Sequence, residues 1–311
     1  MISLTLENFR SLSKKGNLIP IYKEIDLDFD NPLSILRKIS SKKHYFLLES
    51  SAGPEKWSQY SFLGFDPKLI ISSYKNRVII KNKNKSIEKS SINIFTKLKE
   101  LMKEFKPVKV EGLPRFYGGL VGFFSYEVIN QIENISNKES KKTEFPDSLF
   151  MLTDSVIIFD NINKTAKIVI NVHIKNGSDY KSLYKNSILE IKKIEKLLKS
   201  TKNNPYRKSS KFSKKAHPIK SNFSKPDFLK AVKKIKNYVK NGDVIQTVVS
   251  QRWETKYKDD PINLYRALRR LNPSPYMFYL KMDTSLIVGA SPEVLVRLED
   301  NKVESRPIAG T

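Results

Sequence analysis

The residue types most suited to binding chemistry lie in the run Ser305-Arg306-Pro307-Ile308-Ala309-Gly310-Thr311. Glycine and alanine let backbone N–H groups approach a ligand, and a threonine hydroxyl can donate to it or accept from it. A carboxylate-bearing metabolite fits such a cradle, although residues of this kind also make ordinary turns. A second group, Leu47-Leu48-Glu49-Ser50, ends a strand-like stretch with two polar side chains. A third, Asn272-Pro273-Ser274-Pro275-Tyr276-Met277, combines a proline-stiffened loop with an aromatic ring and a thioether. A serine hydroxyl can hold an amino or carboxylate group, while a fixed proline wall, a tyrosine and a methionine suit a flat ring. Glu293, in Ser-Pro-Glu, is a lone carboxylate near a turn and reads as structural. His44, His173 and His217 have no ligand-like spacing and read as surface or packing residues.

Taken in order, Gly242-Asp243-Val244-Ile245-Gln246, Ser250-Gln251-Arg252, Asn272 to Tyr279, Gly289-Ala290-Ser291-Pro292-Glu293 and the terminal run resemble the chorismate-utilising enzymes. Within that family the likeness is to the large subunit of anthranilate synthase, component I. Leu47 to Ser50, Glu55 to Gly64 and Gly118 to Glu127 extend it over nearly the whole chain.

The resemblance implies conversion of chorismate and ammonia to anthranilate and pyruvate, the first step of tryptophan biosynthesis. It implies chorismate binding at Gly310 and Thr311, and a tryptophan feedback site at Ser50, Pro275, Tyr276 and Met277, with Glu49 and Lys56 as lesser candidates. It also implies Mg²⁺, with the glutamates that bind it and the catalytic histidine expected after Thr311, so that residues 1–311 alone should not form anthranilate. Relatives that make aminodeoxychorismate commonly carry a nucleophilic lysine where this chain has Ala309. Alanine leaves ammonia to attack the ring itself. Isochorismate and salicylate synthases share the alanine and remain an alternative, as does aminodeoxychorismate synthase.

Composition narrows the field further. With 311 residues, 39% of them hydrophobic, the chain can build two domains with a sizeable core. It shows neither an apolar stretch of membrane-spanning length nor a signal-peptide pattern at its start, which points to the cytoplasm. It has no cysteine, so a cysteine-dependent glutaminase cannot reside in these residues. The resemblance therefore implies a glutamine amidotransferase partner, component II, in a heterotetramer with two copies of each subunit. The net charge of +25 raises nucleic-acid binding as a reading from another class. Most of the 57 basic residues, however, are lysines scattered along the chain, unlike an arginine-rich phosphate-contacting stripe. Neither nucleic acid nor membrane is expected as a partner.

Local patterns assign the elements that must position these groups. Thr5 caps a helix running to Lys15, Ile19 to Ile25 is a strand, and Asn31-Pro32 opens another helix. His44 to Ser50 is a strand, and Lys68 to Ser73 pairs with Arg77 to Lys81. Ile92 to Phe105 has helical spacing, and Phe116 to Phe124 is a glycine-rich strand. Leu149 to Asp160 reads as one strand, hairpinned to Lys164–Ile174, with a helix from Tyr180 to Leu198 after it. Residues 81–91 and 130–143 read as polar loops.

Ser224 caps a helix closed by Gly242, and Asp260 caps one over Pro261–Leu271. Strands follow over Val244–Trp253, Tyr276–Lys281 and Ser285–Gly289, with a hairpin of Val294–Leu298 and Val303–Pro307. The expectation is an α+β protein with largely antiparallel sheets. The resemblance adds that two sheets pack together with helices outside, incomplete at the C-terminus. The domains expected are a regulatory region over 1–200, a basic linker over 201–222 and part of a chorismate-binding catalytic domain over 223–311.

Overall fold

The computed structural model describes residues 2–27, 30–51, 59–75, 77–82, 86–90, 92–134, 145–200 and 217–307. The first ten strands are β1 (Leu18–Asp26), β2 (His44–Glu49), β3 (Tyr60–Phe65), β4 (Leu69–Tyr74), β5 (Arg77–Lys81), β6 (Ser86–Ser90), β7 (Gly119–Phe124), β8 (Ser148–Thr153), β9 (Ser155–Asp160) and β10 (Thr165–His173). Short β11 (Lys220–Ser221) and β12 (Trp253–Glu254) follow. Then come β13 (Tyr276–Met282), β14 (Ser285–Ser291), β15 (Val296–Glu299) and β16 (Lys302–Ser305).

One compact unit comprises Met1–Pro205 with Leu268–Pro292, and the other Tyr206–Ala267 with Glu293–Thr311. The first holds a seven-stranded sheet ordered β1-β10-β9-β3-β2-β13-β14 and a five-stranded sheet ordered β6-β5-β4-β8-β7. Every ladder in both is antiparallel. Residues from late in the chain, β13 and β14, therefore complete a sheet whose other five strands come from residues 18–173.

The two sheets pack face to face. Phe46 of β2 and Leu280 and Met282 of β13 meet Val121 of β7 and Met151 of β8 in one buried cluster. Full burial of such side chains contributes roughly 1.5–3 kcal/mol each. Helices cover the outer faces. Ile94, in the helix Ile94–Lys103, packs on Ile71 of β4 and Val78 of β5. The helix Tyr180–Lys199 buries Ile191, Ile194 and Leu198 and is tied to β1 by Lys23 Nζ to Glu195 Oε2 at 2.6 Å. Asp179 starts that helix by accepting from the N–H groups of Lys181 and Ser182.

The caps anticipated from sequence are present at Thr5, Asn31, Ser224 and Asp260. Three other expectations are corrected. Leu149–Asp160 is two strands: β8 belongs to the five-stranded sheet and β9 to the seven-stranded one, and the break falls at Asp154. The polar triplet Thr153-Asp154-Ser155 interrupts the apolar run at that point, but which sheet each half joins is decided only by the strands beside it. Residues 86–90, read as loop, form β6, where ladder bonds to β5 outweigh a polar composition. Val244–Trp253 forms no strand before Trp253, where the short β12 begins opposite β11.

The second unit contains the helix Lys225–Asn241, ended by Gly242 in the left-handed conformation, the β11–β12 pair and the β15–β16 hairpin. Ser224 Oγ accepts from the Asp227 N–H at 3.2 Å and contacts its carboxylate at 2.6 Å.

The turn from β9 to β10 is organised by Asp160. Burial opposes its ionisation, but hydrogen bonds from the backbone and side chain of Asn163, from Gln59 and from the Ile162 N–H outweigh that and lower its pKa. A carboxylate whose folded pKa lies below its unfolded value of about 3.9 stabilises the fold above that value and loses the contribution as pH falls through the folded pKa. Urea unfolding between pH 7 and 2.5 should therefore show an acid-side loss of stability that is smaller in Asp160→Asn. That variant should also be the less stable protein at pH 7.

Candidate functional site

The sequence groups Leu47–Ser50 and Asn272–Met277 become neighbours because β2 and β13 pair, with Met277 opposite Glu49 and Phe278 opposite Leu48. Just past this ladder, the Ser51 N–H donates to the Ser274 carbonyl at 3.0 Å. The Ser51 hydroxyl donates to the same carbonyl and accepts from the Ser274 N–H, both at 3.2 Å. Ser274 is buried, with 3% of its surface exposed, and its own hydroxyl accepts from the Tyr276 N–H at 3.1 Å while donating to the Ser291 carbonyl at the end of β14. One serine thus fixes the ends of three strands and the path of Pro275.

Strand alternation sorts the side chains. Leu48 and Phe278 face the five-stranded sheet, and continuing the period of two brings Ser50 and Tyr276 to that face. Both are partly exposed, as is Pro275. Met277 and Glu49 lie on the opposite face and are buried at 1% and 5% exposure. The Glu49 carboxylate is 3.5 Å from Nη2 of Arg269, which is 41% exposed. Five sequence candidates therefore meet at one seam: Ser50 and Tyr276 share an accessible face, Met277 and Glu49 brace it from behind, and the partly exposed Pro275 leads into β13.

Sequence reasoning missed Ser51, Ser274 and Arg269 as organising residues. A serine two positions before Tyr276 in a proline-rich loop is the signature of a hydroxyl-capped turn, and it could have marked Ser274. Nothing local marks Ser51 or Arg269, whose partners are remote in sequence. Lys56, Ala309, Gly310 and Thr311 lie outside the described residues.

In the second unit, Glu293 Oε1 is 3.8 Å from Arg306 Nη1, whose Nε donates to Glu304 at 2.8 Å. Arg297 also bonds Glu304. The bonds from Arg306 and then Arg297 hold the Glu304 carboxyl below the usual range. Glu293 is thus engaged in a charge ladder along the β15–β16 hairpin.

Burial lowers the pKa of His44, and for His173 burial together with Lys68 and Lys175 does the same, as expected of packing residues. Among the described residues, no group of three or more Asp, Glu and His side chains is placed to hold a metal ion. No described helix is long and apolar enough to cross a membrane.

The model of the chorismate binding enzyme family matches residues 43–311. The chain belongs to this family. It is 39% identical over 310 residues to anthranilate synthase component 1 of Acetivibrio thermocellus, covering 99% of this chain and 62% of that protein. It is 41% identical over 319 residues to the Aquifex aeolicus protein of the same name, covering 100% and 62%. The chain thus spans about three fifths of the length of these curated relatives. A crystal structure of anthranilate synthase component I from Streptococcus pneumoniae superimposes with a TM-score of 0.60 at 22% identity, over 79% of this chain and 53% of that one. That likeness shows the same α+β fold of antiparallel sheets and helices.

The seam makes its own test. Ser51→Ala removes the hydroxyl that receives the buried Ser274 N–H, and should lower unfolding free energy by about 1–2 kcal/mol in urea titrations. Ser51→Thr retains the hydroxyl and should restore most of the loss.

Proposed function

We propose that the protein containing these residues acts as anthranilate synthase component I. Its reaction would take chorismate and ammonia to anthranilate, pyruvate and water. The observation that carries the proposal is the identity of about 40% to curated proteins of that name across essentially the whole chain. Ala309 supports it, since a side chain without a nucleophile leaves ammonia to form the new C–N bond directly. The amine adds next to the carboxylate-bearing ring carbon and hydroxide leaves. Loss of a ring proton and of the enolpyruvyl group as pyruvate then gives the aromatic ring. Gly310 and Thr311 would bind chorismate. Mg²⁺ would serve the reaction by screening the negative charge of the substrate.

The partner reading rests on chemistry as well. Without a cysteine this chain cannot supply the thiolate of a cysteine-type glutaminase, so glutamine would be hydrolysed by an amidotransferase subunit and ammonia passed on. Residues 1–200 would form the regulatory part, with β13 and β14 inserted from the 223–311 segment that otherwise contributes to chorismate binding. Tryptophan would bind at the β2–β13 seam. Its ammonium or carboxylate would meet Ser50, and its indole would lie against Pro275 and Tyr276, with Met277 supporting the strand from the other face.

The full-length protein, given chorismate, Mg²⁺ and ammonium, should release pyruvate and fluorescent anthranilate in equal amounts. Glutamine should replace ammonium only when the amidotransferase subunit is added. Recovery of an aminodeoxychorismate, isochorismate or salicylate product instead would overturn the assignment. Ser50→Ala should raise the tryptophan concentration for half-inhibition about tenfold, the loss of one hydrogen bond to a charged group, and leave kcat unchanged. Unchanged inhibition would remove the seam from the regulatory reading without touching the catalytic one.

A further inference from the structure

The lysines that look scattered in the sequence are not all scattered in space. Lys14, Lys15, Lys106 and Lys175 line one open pocket of about 650 Å³ in the first unit. They come from three segments: the turn after the helix Leu6–Leu12, the chain after the helix Ile94–Lys103, and the turn between β10 and the helix Tyr180–Lys199. None of the chemistry above uses this pocket.

Asn17 holds the three segments together. Its N–H donates to the Lys106 carbonyl at 3.0 Å, and its carbonyl accepts from the Ile174 N–H at 2.8 Å. Its side chain adds two bonds: Nδ2 donates to the Glu104 carbonyl at 2.7 Å, and Oδ1 accepts from the Lys106 N–H at 2.6 Å. A Cβ on the adjacent Gly16 would lie 2.3 Å from the Lys106 carbonyl oxygen, so this close approach requires glycine. In the third segment the Ser178 N–H donates to the Lys175 carbonyl and the Lys175 N–H to Ser178 Oγ, both at 3.0 Å, around Gly177 at a left-handed φ of 76°. The backbone that presents the lysines is therefore fixed before any ligand arrives, which lowers the cost of binding.

Charge in the pocket is unbalanced. No Asp or Glu lines it, and none of the four lysines forms an ion pair with a described residue. Lys23, Lys38, Lys42 and Lys167, by contrast, each pair with a carboxylate. Asp179, between the lining residues Ser178 and Tyr180, spends its carboxylate on the N–H groups of Lys181 and Ser182 and on the Ser182 hydroxyl. At His173, one residue from the pocket, burial and then Lys68 and Lys175 hold the pKa down, and Lys175 acts more strongly than the opposing charge of Glu104. The four lysines are exposed, so one contact with a monovalent ion gains little. An anion with several charges meets several lysines at once, and contributions that are small singly combine.

We propose that this pocket binds a compact oligophosphate, two or three linked phosphate groups, either free or as the tail of a nucleotide. Lysine ammonium groups are point charges on flexible stems and donate to phosphate oxygens without the fixed fork that arginine imposes, which suits a short phosphate chain. The volume is that of a small-molecule site. Lysines carried by three segments around one concave space favour a compact anion over an extended duplex, whose phosphates need a stripe.

With the full-length protein labelled at glycine with ¹⁵N, in buffer free of Mg²⁺, tripolyphosphate should shift the Gly16 and Gly177 amides saturably. Pyrophosphate should bind about tenfold more weakly, and orthophosphate more weakly again. Raising NaCl from about 50 to about 300 mM should weaken tripolyphosphate binding at least about tenfold. Lys106→Glu combined with Lys175→Glu should weaken it about a hundredfold. Lys192→Glu combined with Lys196→Glu makes the same change in net charge at exposed positions outside the pocket, and should alter the affinity less than about threefold. ATP within about threefold of tripolyphosphate assigns the site to the bare phosphate chain, and ATP more than about tenfold tighter assigns it to nucleotides. Equal losses in the two double variants, binding indifferent to salt, or no saturable shift up to millimolar tripolyphosphate would each overturn the proposal. So would a short DNA duplex that shifts the same amides at lower concentration than tripolyphosphate.

Discussion

The pairing of β2 with β13 is the constraint on which the rest of the first unit depends. Residues 223 apart in the chain, Ser51 and Ser274, close it with reciprocal hydrogen bonds. Without that closure the seven-stranded sheet would end at β2, and Leu280 and Met282 would leave the cluster that joins the two sheets. Such distant pairing carries a loop-closure entropy cost that many buried contacts must offset. The pairing also brings a short serine motif and a proline-rich loop together at one surface. Folding and the proposed feedback site are therefore consequences of a single ladder.

A second constraint operates at Asp154, where the chain leaves the five-stranded sheet as β8 and enters the seven-stranded sheet as β9. The Asp154 carbonyl takes the Asn171 N–H, and Thr153 Oγ1 donates to the Ser155 carbonyl at 2.7 Å, so the crossing is held by local bonds. Strands change sheets at corners made by bends or bulges, as here at Asp154.

Charge plays a distributed part. Lys23, Lys38, Lys42 and Lys167 pair with Glu195, Asp30, Asp66 and Glu24 at 2.6–3.1 Å, all at least partly open to solvent. Pairs of this kind each contribute less than about 1 kcal/mol and weaken with salt. A net charge of +25 is then a property of solvated faces. Its effect on a dianionic substrate would be long-range attraction, which needs no clustered binding stripe.

Sequence by itself determined the helix caps, most strands, the α+β class and the motifs that resemble chorismate enzymes, because these depend on residues within a few positions of one another. Thr5, Asn31, Ser224 and Asp260 cap helices through side chains that reach only two or three residues along the chain. Only the tertiary structure decided that Leu149–Asp160 divides between sheets, that residues 86–90 join a ladder, and that Met277 faces away from Ser50. Those outcomes depend on which strand lies alongside and on the register between them, and a period of two fixes faces only once a partner is known. The meeting of Lys14, Lys106 and Lys175 at one pocket belongs to the same class, since it is settled by backbone bonds between segments remote in the chain.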